Sequence, residues 1–216
     1  MNDNEKYLEK LKTHRRHLHQ IPEIDRDLPE TKAYLLSVLE QLDCKLTFLC
    51  GSGICAWFDR GAADTFAFRS DMDGLPVTEA NTCDYVSTHP GKMHACGHDM
   101  HAAMLLGAAK LLREYQGELN GTVKLVFQPD EEGFTGAKAM LSAGVLKDPA
   151  PQAGFALHVN SGTPSGLVLC GRGTFMAGCT LFRITVNGVG CHGAMPEKGV
   201  DPLNLSLIHI SEPTRP

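Results

Sequence analysis

Apolar residues change their spacing repeatedly along this chain, and each change of period marks an element. Tyr7 to His19 and Glu30 to Leu42 carry them at helical intervals, with Pro22 and Pro29 punctuating the loop between, so two helices open the chain. Ile54 to Phe58 and Thr65 to Arg69 are short apolar runs separated by the turn-forming Asp59-Arg60-Gly61, and both read as strands. Asp99 to Tyr115 places Ala102, Leu105, Leu106, Ala109 and Leu112 on one helical face. Gly121-Thr122 leads into an apolar strand at Val123 to Phe127. Gly136 to Ala143 is a further helix stopped by Gly144, and Phe155 to Val159 is a last short strand with His158 at its end. Strands alternating with helices predict an α/β domain with a largely parallel central sheet.

Composition narrows the class. With 216 residues, 43% of them hydrophobic and 21% charged, the chain can bury an ordinary core in one domain or one and a part. A formal net charge of -5 and the lack of a concentrated basic cluster argue against nucleic acid or an anionic membrane as partner. The basic stretch from His14 to His19 falls in a helical pattern and reads as a solvated or substrate-side face. No apolar run approaches the roughly 18 residues that cross a bilayer, and Met1 to Lys12 is polar and charged, with no secretory signal visible. Of the eight cysteines, Cys44, Cys50, Cys55, Cys83, Cys170, Cys179 and Cys191 lie at irregular spacings among apolar or turn residues, which suits reduced thiols in the cytoplasm. Cys96 alone has metal-site neighbours.

Those neighbours carry the chemistry. His94-Ala95-Cys96-Gly97-His98-Asp99-Met100-His101 packs three histidines, a cysteine and an aspartate into eight residues, followed by Glu131-Glu132 and then His158. Thiolate, imidazole and carboxylate bind first-row divalent metals, and a mixed set with a spare carboxylate suits catalysis better than a closed structural site. One glutamate can bind metal while its neighbour takes a proton from water, so the pattern reads as a metal-dependent hydrolase. Taken singly, His158 would be a half-buried histidine, Asp71 and Asp73 a turn, and Glu131-Glu132 a solvated loop. Together, Asp71, Asp73, Glu131, Glu132 and His158 follow apolar strands while Cys96 and His98 precede a helix. In open α/β sheets such positions converge on one crevice outside the carboxyl ends of the strands.

The stretches RRHLHQIPE (15 to 23), FRSDMDGLPV (68 to 77), GKMHACGHDMHAAMLLGAAKLL (91 to 112), VFQPDEEG (126 to 133), ALHV (156 to 159) and GCHGAMPEKGVDP (190 to 202) resemble, in order and spacing, the amidohydrolase metallopeptidase family. That family includes hippurate hydrolases, aminoacylases, N-acetyldiaminopimelate deacetylases and auxin-conjugate hydrolases. The resemblance implies a zinc-peptidase-like catalytic domain, its N-terminal part here at 1–172, interrupted by an α/β lid domain that begins at 173–204 with a strand at Thr180 to Val186. It further implies that Cys96, His98, Glu132 and His158 hold divalent metal, two ions per site, as manganese, zinc, cobalt or nickel. Glu131 would be the catalytic base. Asp71 and Asp73 would orient ligands from behind, His101 would line the site, and His192 would reach the reacting carbonyl from the lid.

The implied reaction is cleavage of an N-acyl amino acid to a carboxylic acid and a free amino acid, with a homodimer formed through the lid in the full-length protein. A dipeptidase, or a metal-binding fragment without turnover, would use the same residues. Asp130 stands where many relatives have alanine, and an extra carboxylate there is expected to raise the pKa of Glu131. The family match stops near Pro202 to Asn204, and residues 205–216 read as an adapter-derived tail. A chain ending this way is expected to be poorly active.

Overall fold

The protein is described from a computed structural model covering residues 3–61, 64–180 and 182–211. Contacts divide it into two units, Met1–Thr163 and Pro164–Pro216, so the division falls nine residues before the domain boundary expected from the sequence.

The first unit contains α1 (Asp3–Gln20), α2 (Pro29–Leu39), β1 (Lys45–Leu49), β2 (Gly53–Asp59), β3 (Thr65–Asp71), α3 (His98–Glu114), β4 (Thr122–Gln128), α4 (Gly136–Ser142) and β5 (Ala153–Ala156). Helix α2 starts at Pro29, whose fixed φ suits a first helical position, and Glu23 accepts hydrogen bonds from the Glu30 and Thr31 amides at 3.2 and 2.8 Å. Those two amides have no partner within the helix, so the Glu23 carboxylate does the work of a cap. Helix α3 packs closely on α1 at Gly107, where a β-carbon would come within 2.4 Å of Leu11 Cδ2.

The five strands run in the order β1-β2-β4-β3-β5. Strand β3 is parallel to both β4 and β5, whereas β2 is antiparallel to both β1 and β4. The α/β class therefore holds, and the sheet is mixed, with parallel pairing on one side of the central strand β4 and antiparallel pairing on the other. Strand β1 was not expected from the sequence, because its residues are half-exposed or exposed throughout and lack an apolar run. Strands β2 and β3 do not form a hairpin across Asp59-Arg60-Gly61, since β4 lies between them.

Both faces of β2 and β4 are buried, which accounts for apolar residues on both faces of each, interrupted in β4 by Lys124. Ile54, Ala56, Phe58, Leu125 and Phe127 join Leu18, Leu35, Leu39, Leu105 and Leu106 from the helices in one cluster. Cys55 and Val126 face the other way, onto Met140 and Val145. Lys124 is buried on that second face, where its Nζ donates to the Lys147 carbonyl at 2.6 Å and lies 4.8 Å from the centre of the Trp57 ring.

The second unit has little regular structure. Among its described residues a single bridge pairs Val189 with Val200, a short 3₁₀ turn spans Pro196–Lys198, and α5 runs over Pro202–Ser211. The strand expected at Thr180 to Val186 is not formed in the described residues of that segment, and residue 181 lies outside them. A strand exists only by pairing, and among the described residues nothing pairs with this one. Phe182 and Ile184 are consequently 81% and 65% exposed. Residues 212–216 of the expected tail also lie outside the described residues, whereas 205–211 belong to α5.

Candidate metal centre

Parallel pairing decides where the site lies. Because β3, β4 and β5 run in one direction, their carboxyl ends share an edge of the sheet. Asp71 ends β3 and Asp73 follows it, Glu131 and Glu132 come just after β4, and His158 lies two residues beyond β5. The amino end of α3 supplies His98 from the same side, with Cys96 in the turn before it. Gly97 permits this approach: its φ is +92°, and a β-carbon there would lie 2.5 Å from Val159 Cγ2.

His98 is the hub. It is fully buried, and neither ring nitrogen has a hydrogen-bond partner among the described residues. Asp73 Oδ1 lies 3.3 Å from its Nδ1, within ion-pair range but outside hydrogen-bond geometry. Around Nε2 stand Asp71 Oδ2 at 3.7 Å and carboxylate oxygens of Glu131 and Glu132, each at 3.8 Å. Cys96 Sγ and His158 Nε2 are 3.4 Å apart, close to the separation of about 3.6 Å expected for a thiolate and an imidazole bound tetrahedrally to one zinc-sized ion. Three overlapping sets bring their ligand atoms within 4.8 Å of one another: Cys96, His98 and His158; Asp71, His98 and His101; and His98, Glu131 and Glu132.

Such a cluster fits a cation. An unpartnered buried imidazole nitrogen costs roughly 1–3 kcal/mol. Two of these on His98, with Asp73 Oδ1 and Glu132 Oε1 also buried and unpartnered, are well matched by a positive ion.

The two aspartates behave differently. Asp71 Oδ1 is 2.6 Å from His101 Nδ1, and its Oδ2 accepts from Arg69 at 2.9 Å. Burial alone would push its carboxyl up, but the His101 hydrogen bond, then the His98 and Arg69 charges, hold it below the usual range. Asp73 uses Oδ2 to accept from the Glu132 amide at 3.0 Å, so it braces the loop that carries Glu131 and Glu132 while its Oδ1 stands beside His98. His101 is engaged at both nitrogens, since Nε2 accepts the Val159 amide at 2.9 Å. Nδ1 therefore carries the proton donated to Asp71, and His101 acts as a strut beneath the cluster. Its place three residues after His98, on the same helical face, was the signal available in the sequence. Arg69 is likewise two residues before Asp71 on one face of β3.

The electrostatics follow from the crowding of carboxylates. Burial disfavours charge on His98, but Asp73, Asp71 and Glu132 outweigh it and raise its pKa. Burial also raises the pKa of Glu131, with Asp71 and Glu132 adding to the shift against the opposing charges of His98 and Arg69. The Cys96 thiol is pushed up to about 12 by burial and then by Glu132, which a bound cation would reverse. Asp130 does not play the part expected of it. Its carboxylate is turned onto the Thr135 hydroxyl and toward Arg26 at 3.6 Å, and burial is the principal cause of the Glu131 shift. His192 lies in the second unit, exposed, with Nδ1 accepting the Ala194 amide at 3.1 Å.

A crevice of this composition at the carboxyl edge of parallel strands has the donor set of a divalent-metal site. The sequence model of peptidase family M20/M25/M40 matches residues 67–214, more than half of the chain, and the protein belongs to that family. The match takes in residues 205–214 of the segment expected to be a tail. An IAA-amino acid hydrolase of Arabidopsis thaliana is 42% identical over 203 residues, covering 91% of this chain and 46% of the relative. An N-acetyldiaminopimelate deacetylase of Streptococcus uberis is 41% identical over 203 residues, covering 92% of this chain and 54% of the relative. The chain thus spans about half the length of these curated relatives. A dinuclear metal-binding peptidase of Bacillus subtilis superposes with a TM-score of 0.70 at 35% identity, over 76% of this chain and 45% of that one. Among the described residues no helix is long and apolar enough to cross a membrane.

Proposed function

We propose that the protein to which this chain belongs hydrolyses the amide bond of N-acyl amino acids with divalent metal at the crevice. The observation that carries this is the buried, unpartnered His98 ringed by Asp71, Asp73, Glu131 and Glu132, with Cys96 and His158 alongside. Cys96, His98, Glu132 and His158 would hold two ions, with Asp73 and Asp71 fixing ligand orientation from behind. The ligand set accommodates manganese, zinc, cobalt or nickel.

When bound, such an ion lowers the pKa of water toward neutrality and polarises a carbonyl. Glu131 takes the proton from the attacking water and returns it to the leaving amine nitrogen. Its raised pKa suits both steps, because a base poised nearer neutral pH can also release what it has accepted. The substrate class is supported by the relatives, whose names specify acylated amino acids. His192 would approach the carbonyl in a homodimer formed through the second unit of the longer protein. Eight free thiols support a cytoplasmic setting.

The test is to titrate the chain with zinc or manganese and to assay the full-length protein on N-acetyl amino acids. Metal-dependent hydrolysis is expected, with Glu131→Gln retaining metal and losing about 10²- to 10⁴-fold in turnover. Full activity in that variant would remove Glu131 as the base, and failure of the wild-type chain to take up metal would remove the metal centre.

A further inference from the structure

Behind the metal centre lies a second buried polar cluster that takes no part in the chemistry above. Asp99, adjacent to His98 in α3, has a fully buried side chain whose Oδ2 meets His19 Nδ1 at 2.7 Å and Arg15 Nε at 2.9 Å. His19, at the end of α1, turns its other nitrogen to Glu79 Oε1 at 3.1 Å. The side chains of His19 and Glu79 are only 3% and 5% exposed. Glu79 is fixed in turn, since it accepts from the Ser87 amide at 2.6 Å and from Asn81 at 2.9 Å. One unbroken chain of contacts therefore runs from the long β3–α3 connection, through the end of α1, to the first turn of the helix that carries His98.

Consecutive helical residues project about 100° apart. His98 thus faces the carboxylates of the sheet edge while Asp99 faces α1, and the setting of one fixes the setting of the other. At an imidazole about 6 Å from the helix axis, a rotation of about 10° moves the ligand nitrogen by about 1 Å, beyond the roughly 0.5 Å a preorganised site tolerates. We propose that His19 and Asp99 are a positioning couple for the metal centre, setting the rotation of the first turn of α3 so that His98 and Cys96 point at the ion, with Glu79 anchoring the couple. This rests on the metal centre described above.

The experiment is a cobalt(II) titration of the chain, followed by the visible ligand-field bands and the thiolate-to-cobalt absorption, with thermal melting of each variant measured beside it. His19→Ala is expected to weaken cobalt binding by about tenfold and to alter the bands at temperatures where it is fully folded. His19→Asn, whose amide nitrogen takes the place of Nδ1, is expected to recover the wild-type spectrum and an affinity within about threefold. A lowered melting point with unchanged affinity and bands in His19→Ala would overturn the proposal, because a purely structural role moves only the first. Should His19→Ala not fold, Glu79→Ala serves instead: about threefold weaker binding supports the proposal and wild-type binding overturns it. If the wild-type chain takes up no cobalt, the metal centre falls and the couple with it. If it binds and the variants match it, only the couple falls.

Discussion

The two flanks of the sheet in the first unit do different work. On the antiparallel side, β2 and β4 bury Ile54, Phe58, Leu125 and Phe127 beneath three helices, and nearly every inward position is apolar. On the parallel side, β3 and β5 leave Phe66, Phe68 and Phe155 at 39%, 37% and 53% exposure, while the strand ends gather carboxylates and imidazoles. Packing is concentrated in one flank and chemistry in the other, with β4 shared: its body lies in the core and its carboxyl end leads to Glu131 and Glu132. Shared direction is what the second flank contributes, because only parallel strands can bring three carboxyl ends to one edge.

This division can be broken from either side. The largest effect belongs to the packed flank: Phe58→Ala should cost about 3–5 kcal/mol in urea denaturation while the folded fraction binds cobalt as the wild type does. An equal loss of metal affinity would show that the flanks are not separable. Next, His98→Ala should weaken metal binding by at least about a hundredfold, read by competition with a chelating dye, with a smaller change in melting than Phe58→Ala produces. The reverse order of melting points would place the metal centre within the core.

Proton linkage should carry opposite signs in the two regions. His14, on α1, touches Tyr34 and Lys110, and burial, then the Lys110 charge, lowers its pKa from 6.5 to about 4. Between those values the unfolded chain binds the extra proton, so stability rises with pH across the window and is lost as pH falls through it, on the order of 2 kcal/mol. His14→Gln should flatten that limb of the stability–pH curve. His98 has a raised pKa, so in metal-free protein its contribution is complete below the unfolded value near 6.5 and is lost as pH rises through the folded one. Adding metal should invert that dependence, because ligands bind in their deprotonated forms. The smallest effect is expected of Asp130→Ala. Since burial dominates the Glu131 shift, the midpoint of a carboxyl infrared titration should stay within about 0.3 units, and a clear fall would restore the neighbouring carboxylate as its cause.

Legibility in the sequence followed the reach of each interaction. Helix α3 announces itself because five apolar residues share one face, and β4 because both of its faces are buried. Strand β1 could not be read, since its half-exposed residues owe their conformation to a partner, β2, and not to their own pattern. The mixed direction of the sheet was hidden for the same reason: pairing partners are not written in a strand's own residues. At the candidate site, Cys96, His98, Glu131, Glu132 and His158 could be picked out because metal-binding chemistry restricts residue type, and the fold brings them together. The strut role of His101 and the His19–Asp99–Glu79 contacts were not, because they join residues 30 to 80 positions apart through ordinary polar side chains.

The clamp made by His101 also bears on the register of the edge strand. Strand β5 has only four residues at the open edge of the sheet, and a slip of one residue would reverse which side chains face in. A strand that short and that exposed has little in its own pattern to choose between registers. The Val159 amide supplies the choice, since it reaches His101 Nε2 in one alignment while His101 Nδ1 ties α3 to β3 through Asp71. His101 thus acts as a register pin for the last strand, and the alignment it favours is the one that carries His158 to the same edge as Asp71.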